Sequence, residues 1–345
     1  SEYVIGMCVA ISRGHSFLGR EIPYCYPVVY VDAEMYPTDP IDREKPYLER
    51  WGDAADNYFH MLNFSFQDKQ QFPDLKSDHM QKLIKDYLKK NNPKLIIGVI
   101  GCMAQNLKNE LLESKPYVDI ILGPDSYRNI PKLLKDRSSK INHLVDTKLS
   151  KYEIYDELFP SRQEGVNSWV SIMRGCDKFC TFCIVPFTRG RERSRPIESI
   201  VNEIKHGVSE GFVEFTLLGQ NVNSYSTPDG KFPELLNEVA SISGVKRLRF
   251  SSPHPQDVDD QMLQVMSSHK NICNHVHLPL QSGNDRILNR MNRSYTSGDF
   301  LSLSDKIREY MPGCSITSDI IVGFPGETEE EFEDTLNIAR KVGFN

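Results

Sequence analysis

The sequence predicts an α/β chain: an incomplete parallel (βα) barrel over residues 167–345, preceded by a partial α/β domain. Three observations predict it. Short apolar runs alternate with stretches of helical period through the second half of the chain. Each run and the helix after it are long enough for a right-handed crossover to a parallel neighbour. Cysteines, amides and arginines gather just beyond the apolar runs, the end of a parallel barrel where chemistry is placed.

The barrel reads as five βα units. The first strand is the run Trp169–Met173, WVSIM, followed by a helix from about Ile197 to Ser209. Strand Phe212–Leu218 leads to a helix over Phe232–Ile242, and strand Arg247–Phe250 to one over Asp257–Met266. His275–Leu278 precedes a helix over Ser297–Tyr310, and Ser315–Val322 precedes one over Glu327–Lys341. Gly343-Phe344-Asn345 follows where a sixth strand is expected, so an open barrel edge needs cover.

Residues 1–92 read as an atypical N-terminal region. Within it, YCYPVVYVDAEM (Tyr24–Met35) reads as a strand and Ser77–Lys90 as a helix ending before Pro93. Gly14-His15-Ser16-Phe17-Leu18 has the outline of a phosphate-binding loop, but His15 stands where the lysine belongs. Residues 93–135 then alternate again: a buried strand Leu95–Ile100, a helix Leu107–Leu112, a strand Tyr117–Leu122 and a short helix Ile130–Leu134. Residues 136–166 are polar and read as a linker.

Composition narrows the function classes. A formal net charge of -6 with 26% charged residues fits a soluble protein, and a local basic face suffices for RNA whatever the average. No apolar run approaches the ~20 residues of a membrane span, and SEYVIGMCV lacks the basic and apolar regions of a signal peptide. A cytoplasmic protein without a membrane partner is the expectation. The eight cysteines (Cys8, Cys25, Cys102, Cys176, Cys180, Cys183, Cys273 and Cys314) are too sparse for a disulfide scaffold.

Three of them decide the chemistry. In MRGCDKFCTFCIVPFTRGRERSRP (Met173–Pro196), Cys176, Cys180 and Cys183 stand in C-x3-C-x2-C spacing on a strand-to-helix loop. Three thiolates from one loop suit an iron–sulfur cluster better than a catalytic zinc, which recruits histidine or carboxylate. A four-iron cluster needs four ligands, so this loop leaves one iron open. Cys102, in GCMAQ, is a further candidate ligand, whereas Cys273 and Cys314 read as small buried hydrophobes.

The spacing is the hallmark of radical S-adenosylmethionine enzymes, and RGCDKFCTFCIVPFTRGRERSRP resembles the methylthiotransferases among them. The resemblance covers about residues 93–345 and is strongest to the branch acting on isopentenylated tRNA adenosine, through TLLGQNVNSY and SDIIVGFPGET. It implies a radical-SAM partial (βα) barrel after a flavodoxin-like domain, of which this chain carries an atypical or partial version. It also implies S-adenosylmethionine chelated at the open iron, one-electron cleavage to a 5'-deoxyadenosyl radical, and a methylthio group placed on adenine C2 of N6-isopentenyladenosine. The family's second four-iron cluster uses three N-terminal cysteines, of which only Cys102 lies in a matching motif; Cys8 and Cys25 do not. The family's C-terminal RNA-binding domain has no counterpart here. Cluster or RNA binding, or cofactor cleavage without sulfur insertion, is the alternative outcome.

The resemblance assigns Gln220, Asn221, Asn223, Ser252, Gln281, Ser282 and Asp319 to the cofactor pocket, with Phe182 and Phe179 either shielding the cluster or packing the barrel mouth. His254 stands either against substrate or cofactor or as a surface residue, and Tyr295 against substrate or cofactor. Arg286 and Arg290 share one helix face. Arg189, Arg191, Arg193 and Arg195 share one side at strand spacing and either contact RNA phosphates and bases or form ion pairs beside the cysteine loop; Arg293 stands against substrate RNA or cofactor. Thr328 caps the last helix, alone or alongside an adenosyl-supporting role. The implied partners are the tRNA anticodon stem-loop, an electron donor such as flavodoxin or ferredoxin, and a sulfur donor.

Overall fold

The computed structural model describes residues 28–32, 59–63, 96–136, 144–156 and 165–345. The candidate helix Ser77–Lys90, the loop Gly14–Leu18, and Cys8 and Cys25 lie outside them. The chain divides into two units, residues 1–150 with 158–164, and residues 151–157 with 165–345.

In the first unit, β1 (Val28–Asp32) pairs in parallel with β2 (Phe59–Asn63). A second, three-stranded parallel sheet has β4 (Ile120–Leu122) between β3 (Gly98–Ile100) and β5 (Leu144–Asp146). All of β4 is buried, whereas β3, expected to be a buried strand, is an edge strand with exposed Gly98. The expected helix Leu107–Leu112 is instead two short ones, α1 (Cys102–Leu107) and α2 (Asn109–Ser114), because Lys108 between them has φ 45°. α3 (Ile130–Asp136) follows β4. β5 falls inside the stretch read as irregular linker. Three residues, Leu-Val-Asp, carry no legible period; their parallel pairing with β4 makes them a strand.

The second unit is the barrel. β6 (Asn167–Ser171), β9 (Glu214–Leu218) and β12 (Arg247–Phe250) form one parallel sheet in that spatial order. A parallel bridge from Leu248 to Ile272 carries the order on to β13 (His275–His277), which pairs in parallel with β14 (Ser315–Thr317). Between β6 and β9, the short strands β7 (Met173–Arg174) and β8 (Arg193–Ser194) pair antiparallel and fold the cysteine segment back on itself, with α4 (Val185–Arg189) inside it. WVSIM is thus split between β6 and β7. A small hairpin, β10 (Ser226–Thr227) with β11 (Gly230–Lys231), follows β9.

The crossovers are α5 (Ile197–Ser209), α6 (Phe232–Ala240), α7 (Asp260–Ser268), α8 (Asp285–Arg290) with α9 (Ser297–Tyr310), and α10 (Glu329–Val342). Their periodicity explains their packing. α6 buries Phe232, Leu235, Leu236 and Val239, one stripe at i, i+3, i+4 and i+7. Caps fix the starts: Asp259 Oδ1 accepts from Met262 N at 2.8 Å, so α7 begins later than its apolar pattern suggested. Thr328 Oγ1 accepts from Glu331 N at 3.3 Å, as its position predicted, and Gly343 ends α10 in the left-handed conformation.

Strand alternation sorts the side chains. Val170, Phe215, Leu217, Leu248, Val276 and Ile316 are fully buried against the helices. Their neighbours Trp169, Thr216 and Arg249 stand in register on the opposite face. That face is polar: Glu214 accepts from Arg247 Nη1 at 2.8 Å and Arg249 Nε at 2.9 Å. Further along it, His275 Nε2 and His277 Nδ1 meet Thr317 Oγ1 at 2.9 and 3.1 Å.

Gly283 lets α10 close on the barrel. A Cβ there would lie 2.6 Å from Thr335 Cα and 2.8 Å from Asp334 O. Gly283→Ala is expected to cost about 1–3 kcal/mol by overpacking, read as a lowered urea midpoint. Gly298→Ala, whose nearest neighbour is 3.7 Å away, is expected to be neutral or stabilising by up to about 1 kcal/mol.

Candidate functional site

The loop carrying Cys176, Cys180 and Cys183 stands at the C-terminal end of the parallel strands, held by backbone contacts at its own base. Gly175 has φ 80°, and a Cβ there would lie 2.1 Å from Arg191 O and 2.5 Å from Gly190 O. Only glycine lets the two arms of the loop approach this closely. Cys176 N donates to Gly190 O at 3.1 Å, and Cys183 N to Cys180 O at 2.9 Å.

Three successive strand-end segments then stitch the loop down. After β9, Gln220 Oε1 accepts from Gly175 N at 2.8 Å. After β12, Asp257 Oδ1 and Gln256 Oε1 accept from Lys178 Nζ at 2.7 and 3.1 Å. After β13, Asn292 Nδ2 donates to the carbonyls of Lys178 and Phe179 at 3.2 and 3.0 Å, and Thr181 bonds Met291 O and Arg290 O. Lys178, Gln256, Asp257 and Asn292 were not singled out in the sequence. Their partners lie 78 to 114 residues away, and no local pattern announces such pairs.

Asn221 is buried beneath the loop. Its Nδ2 donates to Asp257 Oδ2 at 2.8 Å and lies 3.4 Å from Glu192 Oε1, while its Oδ1 is buried with no hydrogen-bond partner. Burial raises the Glu192 carboxyl above its ordinary range, opposed by the Asp177 amide. Asn223 and His254 exchange two bonds: Asn223 Nδ2 to His254 O at 3.0 Å and His254 N to Asn223 Oδ1 at 2.7 Å.

His254 is buried, not a surface residue. Burial first, then the positive charges of Arg293 and Lys178, push its imidazole down to about 3. Donors face both ring nitrogens, Arg293 Nη1 at 2.9 Å from Nε2 and the Gln256 amide at 3.3 Å from Nδ1. A doubly protonated ring would oppose both.

Comparison with known proteins places this loop in a family. The model of the radical SAM superfamily matches residues 170–339, and that of the uncharacterized protein family UPF0004 matches residues 73–123. The chain belongs to the radical-SAM superfamily. It is similar to the tRNA-2-methylthio-N(6)-dimethylallyladenosine synthase of Porphyromonas gingivalis, 47% identical over 258 residues, and to that of Carboxydothermus hydrogenoformans, 48% identical over 263. These alignments cover 73% and 75% of the chain but 55% and 60% of the two relatives, so the chain spans little more than half their length. Among solved structures, the radical-SAM methyltransferase TsrM of Kitasatospora setae superposes with a TM-score of 0.54 at 14% identity, covering 92% of this chain and 71% of that one. The cobalamin-dependent radical-SAM enzyme OxsB gives 0.59 at 14%, covering 91% and 52%. At that identity the likeness is one of fold, a partial (βα) barrel with a further region before it.

The cysteine loop can be weighed against the cluster this superfamily uses. Among the described residues no three His, Cys, Asp or Glu side chains converge as a formed metal centre. The donor set nevertheless fits. Three soft thiols share one short loop; burial, with the charges of Glu192, Cys180 and Cys183, pushes the Cys176 thiol up to about 11, so a bound metal would have to draw its proton off. Arg293 Nη1 donates to Cys180 Sγ at 3.2 Å. Cys102 belongs to the other unit, half-buried at the start of α1.

The remaining residues divide. Ser252 and Gln281 hold positive φ of 58° and 67° at strand ends, a strained backbone often found at sites. Asp319 is exposed and faces His277, Nε2 to Oδ2 at 3.2 Å. Ser282 is fully buried, its Oγ accepting from Asn284 N at 3.2 Å and 3.4 Å from Thr335 Oγ1, so it packs against α10. Phe179 and Phe182 are 39% and 43% exposed and leave apolar surface at the mouth. Arg286 Nη2 donates to Glu331 Oε2 at 2.6 Å and Arg290 lies over the Phe324 ring, so both serve the start of α10.

The basic string does not form one face. Arg193 and Arg195 are buried. Arg195 Nη1 pairs with Glu203 Oε2 at 2.6 Å and bonds Ser171 O at 2.7 Å, and its Nη2 bonds Ser199 Oγ at 2.9 Å. β8 turns these two inward, so the ion-pair alternative describes Arg195. Arg191 is exposed, pairs with Asp177 at 3.0 Å and stacks on Phe179 at 5.4 Å; Arg189 ends α4.

Arg195→Ala would remove the 2.6 Å charge partner of the buried Glu203 carboxylate and is expected to be destabilising by about 3 kcal/mol, whereas Arg191→Ala is expected to change stability by less than about 0.5 kcal/mol; urea melts of both compare them. His254 sets an acid limb. Unfolded, it takes a proton near pH 6.5 and folded only near 3, so it withdraws stability as pH falls through that window. His254→Gln is expected to flatten the loss, measured by denaturant midpoints from pH 7 to 3.5.

Proposed function

We propose that the chain is a tRNA methylthiotransferase, adding a methylthio group to C2 of N6-isopentenyladenosine beside the anticodon by radical-SAM chemistry. One observation carries the reaction class: the C-x3-C-x2-C loop, stitched to the segments after β9, β12 and β13. The substrate class rests on the 47–48% identity to synthases of that modified adenosine.

Cys176, Cys180 and Cys183 would hold a four-iron cluster with one open iron, where S-adenosylmethionine binds. When bound, the two supply a 5'-deoxyadenosyl radical able to abstract a hydrogen atom. The chain's own residues position and enclose. Gln220, Lys178 and Asn292 fix the loop against the strand ends. Asn221, with its buried unpartnered Oδ1, offers an acceptor for a donor group of the cofactor. Gln281, Asp319 and Ser252 are read as further cofactor contacts, with Asn223 positioning the His254 segment. Phe179 and Phe182 keep water from the thiols, and a half-exposed aromatic also gives a base a surface to stack on. Arg189 and Arg191 remain for phosphate contacts on an anticodon stem-loop. An electron donor of the flavodoxin or ferredoxin kind and a sulfur donor complete the reaction.

Cys102 favours a second reading, cluster binding and cofactor cleavage without sulfur insertion. It is the one cysteine in a motif resembling the family's second-cluster ligands, and among the described residues nothing joins it as a ligand set.

Anaerobic reconstitution of the parent beside a Cys176→Ala, Cys180→Ala, Cys183→Ala variant tests both. About four irons in the parent and none in the variant is the expected result. The parent, given reductant, sulfide, S-adenosylmethionine and precursor tRNA, is expected to yield the 2-methylthio nucleoside by mass spectrometry. Unchanged adenosine with cofactor cleavage would replace the first reading by the second.

A further inference from the structure

We propose that Arg293 is the residue that tunes the cluster, through an N–H···S bond to Cys180, and is not an RNA contact. The inference rests on the reading of Cys176, Cys180 and Cys183 as cluster ligands.

The guanidinium is engaged inside the protein. Nη1 donates to Cys180 Sγ at 3.2 Å and lies 2.9 Å from His254 Nε2. Nε donates to Tyr295 Oη at 3.1 Å, and Nη2 to Pro279 O at 3.3 Å. The groups around it are themselves held. Tyr295 is buried, its hydroxyl within 2.9 Å of the carbonyls of Pro279 and Leu280. His254 is buried and fixed by its two bonds with Asn223. The His254 and Tyr295 rings meet edge to face at 5.9 Å, and Arg293 lies over Tyr295 at 5.3 Å. A fork held on four sides cannot swing out to a phosphate without breaking every one of these contacts.

What the fork presents to the cysteine loop is a fixed positive charge and an N–H donor at one ligand sulfur. Hydrogen bonds to cluster sulfurs and nearby charge set the reduction potential of iron–sulfur centres. A donor and a cation at the sulfur favour the more negative, reduced state. Arg293 therefore raises the potential of the bound cluster, easing the one-electron reduction on which cofactor cleavage depends. His254 and Tyr295 are positioning residues for Arg293.

The test is a redox titration of the reconstituted full chain, followed by the electron paramagnetic resonance of the reduced cluster, for the parent, Arg293→Met, Arg293→Gln and Arg293→Lys. Iron content, circular dichroism and retention of an unmodified anticodon stem-loop are measured beside it. The expected result is parental iron content and RNA retention, with the midpoint moved to more negative potential in Arg293→Met and by less in Arg293→Gln, which keeps an N–H donor. If Arg293→Met fails to fold or load, Arg293→Gln and Arg293→Lys decide by the same reading. An unshifted midpoint in the loaded variants overturns the inference and leaves the proposed function standing. Weakened RNA retention at an unshifted midpoint overturns it in favour of an RNA contact. A folded parent that takes up no iron removes the proposed function and this inference with it.

Discussion

The close approach of backbone at Gly175 is the constraint on which the rest of the site depends. The arms of the cysteine loop meet where the Cys176 amide donates to the Gly190 carbonyl, and no side chain fits between them. The crossing sets which way each thiol leaves the loop. It also brings the Gly175 amide to Gln220, at the end of the second barrel strand. The β7–β8 hairpin carries the same closure into the core, where it turns Arg195 toward Glu203. β7 and β8, two residues each, are too short to hold such a geometry alone, so the surrounding strand-end segments share the task.

Polar groups inside the site are satisfied mostly by one another. Asn223 with the His254 backbone, Lys178 with Asp257, and Arg293 with His254 and Tyr295 link the cysteine loop and the segments after β9, β12 and β13. In a low-dielectric setting such networks are stiff, and an unmet member is conspicuous. Asn221 Oδ1 is one such member, and Arg195 Nε is another. Asn221 sits where the loop, the segment after β9 and Asp257 converge.

The polar face of the strands gives the barrel a second character. Glu214 with Arg247 and Arg249, and His275, His277, Thr317 and Asp319, line it in alternation with the fully buried apolar residues behind. Strand period thus serves two needs at once. One set of side chains cements sheet to helices, and the other forms a polar face whose charged and hydroxyl groups pair with one another.

Much of this was legible in the chain. The five βα units, the cap at Thr328, and the thiol loop follow from local signals: hydrophobic period, a side-chain oxygen before a helix, and ligand spacing within eight residues. Such features are set by neighbours in sequence, so sequence determines them. β5 escaped notice because three residues show no period, and the arginine string stayed open between RNA contact and ion pairing because alternation cannot say which side faces the core. Only the tertiary structure decided that Arg195 is buried on Glu203, that Ser282 serves α10, and that Arg293 reaches Cys180 across 113 residues. Those outcomes rest on contacts between distant segments, whose energies exist only once the strands have paired and brought their ends together.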